Sequence, residues 1–441
     1  MTDDRISDPE YRAALNFLYS FVDYERSSKW KYDGNHFDLK RMLALLKAVG
    51  NPHKRGLFVH VAGTNGKGSV SAMIASALRE SGLVTGLYTS PHLITFRERI
   101  RIDGVMISPE EVIAGVNRIR KPAEDQGGLT FFDIWTALAF DHFAKRNVDV
   151  SVIEVGMGGR LDSTNVITPA VSVITSISLD HRGKLGDTTT NIAVEKGGII
   201  KTGIPVVSAP QEEDVASILR EKAGETGSEM IMVGREVCCE KIHGGIRYHG
   251  RLWELERVSV PLQGSFQLEN AAIALAALEI LASQGYPVTP ETSRRGLEKV
   301  RWPGRLDVIS TCPAVMVDGA CNIGAMHTVS DYVAERSSRD QTVAVIAICR
   351  DKEVGQVLEI LGEAASRFVV TQVNNPRAMP VGDLAKLVPS NVGYTIIPDP
   401  VQAVSEAVSQ AGKEGFVIVT GSLYLVGEIM KHYGAKEIEE I

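Results

Sequence analysis

Apolar residues fall into two rhythms along the chain. Over residues 8–24, Leu15, Leu18, Tyr19 and Val22 recur at three-to-four spacing, which predicts an amphipathic helix. Leu39 to Val49 predicts a second. Gly56 to Ala62 then reads as a short buried strand entering a glycine-rich turn, with a helix from Ser69 to about Ser81 after it. Val84 to Tyr88 predicts another strand. Arg99-Ile100-Arg101-Ile102-Asp103-Gly104 alternates and then turns, a hairpin signal. Residues 148–155 and 170–177 are continuous and β-branched, as in strands of a parallel sheet covered on both faces. Short strand-like runs over 230–262, broken at Gly244-Gly245 and His249-Gly250, predict a small antiparallel insertion.

The pattern changes at Arg301-Trp302-Pro303-Gly304. Beyond it, strands at 313–318, 342–348, 367–372, 394–397 and 416–420 alternate with helical stretches such as 353–365 and 400–411. That alternation predicts a second open α/β sheet. The chain is expected to divide into two domains, 1–300 and 301–441.

Composition narrows the class. With 44% apolar and 23% charged residues among 441, the chain is neither disordered nor fibrous. Its 47 basic and 54 acidic residues give −7, without a Lys/Arg block, which argues against nucleic acid or an anionic membrane as partner. Five cysteines, an odd number without a C-x-x-C pair, predict mostly buried thiols in a reducing compartment. The Met1-Thr2-Asp3-Asp4-Arg5 start lacks a signal-peptide core, and no run is expected to reach the roughly 18 apolar residues of a membrane span. The reading is a soluble cytoplasmic protein.

The sharpest local chemistry is Gly63-Thr64-Asn65-Gly66-Lys67-Gly68-Ser69, between a strand and a helix. Glycines let successive N–H groups face one point, the helix N-terminus adds partial positive charge, and Lys67 adds a full one. This loop predicts nucleotide phosphate binding. Ser90, Glu154 and Asp180-His181 each follow a predicted strand. In a parallel sheet such ends converge on the edge where the phosphate loop lies. Oxygen ligands such as Ser90 and Glu154 suit magnesium. By pattern alone, His181 reads as a structural histidine and Lys196 as a surface lysine. Phe131 and Phe132 read as core.

Several motifs occur in order. His60 to Ser69 comes first, then Thr89-Ser90-Pro91-His92-Leu93. Glu154-Val155-Gly156-Met157-Gly158-Gly159-Arg160-Leu161-Asp162-Ser163-Thr164-Asn165 follows, then Leu179-Asp180-His181 and Glu195-Lys196-Gly197-Gly198-Ile199. Later come Asn270-Ala271-Ala272, Trp302-Pro303-Gly304-Arg305 and Asp318-Gly319-Ala320. The set resembles the folylpolyglutamate synthase/dihydrofolate synthase family of the Mur-ligase superfamily over roughly residues 10–430. The resemblance implies an α/β chain. A P-loop-type central ATPase domain with a parallel-rich sheet would precede a smaller Rossmann-like α/β C-terminal domain. It implies an ATP-dependent ligase that joins a folate-type carboxylate, dihydropteroate or tetrahydrofolate, to L-glutamate through an acyl phosphate.

By the same resemblance, Gly63, Thr64, Asn65, Gly66, Lys67, Gly68 and Ser69 would hold the ATP phosphates. Asn270, Arg305 and Asp318 would contact the nucleotide. Ser90, Glu154 and His181 would ligate magnesium. Lys196 would be carbamylated by CO2 and orient a second Mg2+, which overrides its surface reading. Glu154, His181 and Lys196 make up the implied catalytic set. Phe132, Arg160, Asp162 and Asn165 are candidates for the substrate side, with Phe131 and Asp133 beside them. A monomer is expected.

The sequence also departs from the family. The family's Asp-Gly-Ala-His-Asn-Pro is here Asp318-Gly319-Ala320-Cys321-Asn322-Ile323, and a thiol does not replace an imidazole. The family's Gly-x-His-Gln is Gly264-Ser265-Phe266-Gln267, and Arg182-Gly183 follows Asp180-His181 in place of a Thr-Glu-like pair. An altered amine or carboxylate acceptor is therefore one alternative. A non-catalytic nucleotide-binding protein is another.

Overall fold

The computed structural model describes residues 8–25, 38–180 and 182–434. The first half builds a sheet from β1 (Leu57–Ala62), β2 (Thr85–Tyr88), β3 (Ile100–Ile102), β4 (Val105–Met106), β5 (Val150–Glu154), β6 (Val171–Ile174), β7 (Val206–Ser208) and β8 (Met230–Met232). Its order is β4-β3-β2-β5-β1-β6-β7-β8. Pairing is parallel from β2 through β5, β1, β6 and β7 to β8, and antiparallel at the β2–β3 and β3–β4 hairpin side. The central strands are mostly apolar because both faces are covered, with His60, Ser151, Glu154 and Ser172 as buried polar exceptions. Val59, Val61, Val150 and Val152 pack with Met73, Ile74 and Leu278 of the helices Lys67–Glu80 and Phe266–Ser283. Phe58 and Ile153 on the opposite face pack with Trp135 and Phe140 of the helix Phe131–Lys145.

The helix Phe266–Ser283 corrects one expectation. It is 18 residues long and apolar enough by composition to cross a membrane. Here it is a core helix, buried from Ala271 to Leu281 between the sheet and the insertion. The insertion is a meander of β9 (Cys238–Ile242), β10 (Gly245–His249) and β11 (Glu254–Val258). One buried carboxylate pins it. Glu279 accepts from the Tyr248 hydroxyl at 3.0 Å and from the backbone N–H groups of Arg251 (3.1 Å), Leu252 and Trp253 (2.6 Å).

The second half forms β12 (Asp307–Thr311), β13 (Ala314–Val317), β14 (Thr342–Ile346), β15 (Arg367–Val370), β16 (Gly393–Ile396) and β17 (Phe416–Thr420), in the order β12-β13-β17-β14-β15-β16. All pairs are parallel except β12–β13. β12 was not anticipated. It is an edge strand with two of its five residues exposed and none fully buried, so it lacks the apolar run of its neighbours. The cysteines also differ from expectation. All five are free, but Cys238 and Cys312 are exposed, Cys239 and Cys321 are half-buried, and Cys349 alone is buried. Cys238 opens the solvent-facing insertion and Cys312 sits in the β12–β13 turn, where no core is available.

Candidate active site between the two domains

The reversal of strand order places β1 between β5 and β6, and the crevice at their C-terminal ends is the expected ligand position in such a sheet. The phosphate loop leaves β1 there and enters the helix Lys67–Glu80. All three of its glycines are required by geometry, and a Cβ on Gly63 would lie 1.8 Å from the Thr175 hydroxyl oxygen. Gly66 has φ +85°, and a side chain there would also strike the Asn270 amide at 2.6 Å. A Cβ on Gly68 would lie 2.9 Å from the Trp302 ring. Ser69 is buried, and its hydroxyl accepts from Gln267 Nε2 at 3.2 Å. Gln267 accepts in turn from Asn270 Nδ2 at 2.9 Å, so the start of the helix Phe266–Ser283 is bonded to the loop.

A cavity of about 440 Å3 opens over this loop, within the usual range of ligand sites. Thr64, Asn65, Gly66, Lys67, Gly68, Ser69, Ser90, Glu154, Asn270, Arg305 and Asp318 all line it. Both domains therefore contribute. Asp318 follows β13, is buried, and accepts from the N–H groups of Leu306 (2.9 Å) and Ala320 (2.7 Å). Burial pushes its carboxyl above the usual range, against the pull of Arg305.

Glu154 ends β5 and is buried. It accepts one backbone bond, from the Ser90 N–H at 3.2 Å. Burial raises its pKa to about 7, opposed by Lys67, that Ser90 bond and Arg305. A buried carboxylate with so little compensation suits a bound cation. His181, the third expected metal ligand, lies outside the described residues. Among the described residues, no group of three or more His, Cys, Asp or Glu side chains converges as a ready-made metal cage.

Lys196 departs from its surface reading. It is buried, and its ammonium donates to the Gly63 carbonyl at 2.6 Å. Burial, with nearby Lys67 acting in the same direction, lowers its pKa to about 7 against Asp180 and Asp162. It borders a small cavity of about 30 Å3 together with Gly63, Lys67 and Asp180.

The four substrate-side candidates separate. Phe132 and Asp162 line the main cavity. Asp162 is buried and accepts from the Met157 N–H (2.9 Å), the Thr164 N–H (3.0 Å) and the Thr164 hydroxyl. Burial raises its pKa to about 6 against those bonds. Arg160 and Asn165 do not line the cavity, contrary to expectation. Arg160 turns outward, half exposed, and pairs with Glu195 at 2.8 Å. Asn165 straps the Arg160 and Gly198 carbonyls at 3.0 and 3.1 Å. Of the pair 131–132, Phe131 is core and stacks near Trp135. Asp133 accepts from the Thr130 N–H (2.8 Å) and the Ser163 hydroxyl (2.6 Å), which fixes the helix start beneath the cavity.

Sequence reasoning missed the far wall of the cavity: Glu25, Lys184, Cys349, Lys352, Arg377 and Tyr424. Lys352 had a usable signal, since Arg350-Asp351-Lys352-Glu353 is a charged stretch just past an apolar strand end. The domains are joined across this wall. Asn65 and Asn322 exchange amide bonds at 3.3 and 2.9 Å, Asn322 donates to Asp180 at 3.2 Å, and Lys352 ion-pairs with Asp180. Residues 23–25 bridge as well. Glu25 forms a two-bond pair with buried Arg99 at 2.9 and 2.5 Å, while its carbonyl accepts from Arg377 at 2.9 Å.

Comparison with known proteins adds independent findings. Residues 61–278 match the family model of the Mur ligase middle domain, and residues 304–423 match that of the Mur ligase, glutamate ligase domain. The folylpolyglutamate synthase of Lacticaseibacillus casei is 39% identical over 435 residues, covering 95% of this chain and 97% of that protein. The dihydrofolate synthase/folylpolyglutamate synthase of Bacillus subtilis is 35% identical, covering 93% and 99%. Escherichia coli FolC in complex with DHPP and ADP superposes with TM-score 0.87 at 28% identity, over 97% of this chain and 98% of that one.

Proposed function

The chain belongs to the folylpolyglutamate synthase/dihydrofolate synthase family of the Mur ligases, and from that premise we propose that it joins L-glutamate to a folate-type carboxylate. It is an ATP-dependent ligase. One observation carries the assignment of roles. The phosphate loop, Glu154, Arg305 and Asp318 line one cavity drawn from both domains. The acid's carboxylate oxygen attacks the γ-phosphorus of ATP, the bond to ADP breaks, and an acyl phosphate forms. The amine of glutamate then attacks the acyl carbon, loses a proton, and inorganic phosphate leaves as the amide forms. The loop N–H groups, Lys67 and Arg305 supply fixed positive charge around the transferring phosphoryl group. Ser90 and Glu154, with His181, would hold magnesium, which adds charge neutralisation at the phosphates when bound. Phe132 and Asp162 face the acid.

Lys196 completes the reading as a carbamate. Its neutral amine adds CO2 and releases a proton, which leaves a buried anion suited to a second magnesium. A pKa of about 7 and the small cavity beside it support this role. The domain boundary at residue 300, a cytoplasmic location and a monomeric state belong to the same proposal. Names of relatives favour glutamate over another amine.

Phosphate release tests the reaction. With ATP and either dihydropteroate or tetrahydrofolate, release is expected to require glutamate, and the two acids side by side assign the preferred substrate. No release with either acid and glutamate present would support a nucleotide-binding protein instead.

A further inference from the structure

One buried side chain in the middle of β1 has no part in the reaction described so far. Val59 and Val61 face the helices Lys67–Glu80 and Phe266–Ser283, so His60 between them points to the opposite face, the side of Phe58. His60 is fully buried. Burial and the nearby Lys201 ammonium lower its pKa to about 3, so the ring is neutral. A neutral imidazole has one N–H and one bare nitrogen. The His60 Nε2 lies 2.9 Å from the Thr164 hydroxyl, and its Nδ1 has no hydrogen-bond partner.

Thr164 carries this contact onward to the cavity. Its hydroxyl donates to Asp162, which also accepts from the Thr164 and Met157 N–H groups. A carboxylate offers roughly four lone-pair sites, so a site is left for the cavity that Asp162 lines. The same donors offset burial and the like charge of Asp133, which both oppose ionisation. A hydroxyl has a single proton, so the direction of the chain turns on the His60 tautomer. With the ring proton on Nε2, His60 donates to the Thr164 oxygen, the hydroxyl proton goes to Asp162, and Asp162 stays an ionised acceptor. With the ring proton on Nδ1, the hydroxyl would turn to Nε2, and Asp162 could hold the Thr164 oxygen only as the neutral acid. An Nδ1–H would also be a buried donor without a partner, which folded proteins avoid more strictly than an unused acceptor. The unpartnered Nδ1 therefore favours the first arrangement.

We propose that His60, acting through the Thr164 hydroxyl, is a positioning residue that holds Asp162 as an ionised acceptor toward N–H donors of the acid substrate. The proposal rests on the ligase reading above and names what keeps one wall of its acid pocket in a single protonation state. The test follows phosphate release by the full enzyme with MgATP, glutamate and either folate acid, in Thr164→Val, Thr164→Ser, His60→Leu and His60→Gln. Thr164→Val keeps the shape and removes the hydroxyl. Its KM for the acid should rise about ten-fold or more, the scale of one lost hydrogen bond to a charged group. Its KM for ATP should stay within about two-fold, a split that a merely loosened fold would not produce. Thr164→Ser returns the hydroxyl and should recover most of the affinity. His60→Leu should follow Thr164→Val, whereas His60→Gln keeps an N–H donor and should stay close to wild type. Nitrogen-15 spectra of the wild-type histidines should show a neutral ring protonated on Nε2, absent from His60→Gln. An Nδ1-protonated ring there would overturn the proposal. So would an acid KM that is unchanged in Thr164→Val or rises together with the ATP KM, since His60 and Thr164 would then only tie the Ser163–Val166 turn to the sheet; the ligase reading would stand. A wild-type enzyme that ligates neither acid overturns both.

Discussion

Lys196 shows how one buried residue joins stability to chemistry. An ammonium out of water is costly, so burial draws its pKa from 10.5 to about 7. The sign of the linkage follows. Below pH 7 both folded and unfolded chains hold the proton, and the fold carries the full penalty of a buried cation. Between pH 7 and 10.5 the unfolded chain binds the extra proton, so stability rises with pH through that window. Lys196→Met lacks the group, so wild type should gain denaturant midpoint relative to this variant between pH 7 and 9. The same neutral amine is the form the proposed carbamate would start from. Lys196→Ala should lose ligation by about 100-fold or more, and bicarbonate should not restore it. In labelled bicarbonate, a carbamate carbon resonance should appear in wild type and be absent in Lys196→Arg. Full ligation by Lys196→Ala would remove the carbamate from the mechanism. Nothing in Glu195-Lys196-Gly197 announces this residue on its own. Its hydrogen-bond partner Gly63 and the neighbouring charge of Lys67 lie more than a hundred positions away, and the family resemblance alone singled it out beforehand.

At the scale of elements, legibility followed burial symmetry. β1 and β5 were readable because both faces are covered, which makes most positions apolar and β-branched, His60, Ser151 and Glu154 excepted. The helix Lys67–Glu80 was readable from the loop before it. β7, three residues long, carries too little pattern to be seen; β8 was read into the antiparallel insertion over 230–262 but pairs parallel with β7 as the last strand of the main sheet, and β12 is a half-wet edge. The helix Phe266–Ser283 lacks an amphipathic stripe because it is enclosed by sheet and insertion alike. Its one buried acid at the insertion end, Glu279, looks like an error in an apolar run and is the peg of the meander. Four donors, three of them backbone N–H groups, converge on it. Glu279→Ala would leave those donors unsatisfied, at about 1–3 kcal/mol for each one that water does not reach. The expected result is a loss of several degrees in Tm with kcat retained at low temperature, since Glu279 does not line the cavity. A variant as stable as wild type would show that the insertion is held by its apolar contacts with the helix instead.

For the whole molecule, the chemistry depends on two domains meeting over one loop, and their shared contacts at the loop are polar. Asn65, Asn322, Asp180 and Lys352 form a continuous bridge, and residues 23–25 add a second tie from Arg99 to Arg377. Water can satisfy every one of these groups when the domains part, so the bridge adds little net stability to the closed form. Interfaces of this kind permit relative motion by default. What the bridge does provide is register. It seats Asn322, immediately after Cys321, against the phosphate loop, and brings Arg305 and Asp318 to the same cavity. Closure would then be a step of the reaction, with the binding free energy of substrates spent on assembling the site. Asn322→Ala removes three side-chain bonds across the interface and the cap on the helix Ile323–Ala334. The capping loss predicts about 1 kcal/mol in the C-terminal domain. The bridging loss predicts a larger radius of gyration in solution scattering without nucleotide, and a kcat reduced about ten-fold or more. Asn322→Asp separates the two effects. It restores the cap but places a second carboxylate against Asp180, so Tm should recover while kcat stays low. If kcat in Asn322→Asp recovers together with Tm, the bridge is a stabilising contact and domain register is set elsewhere.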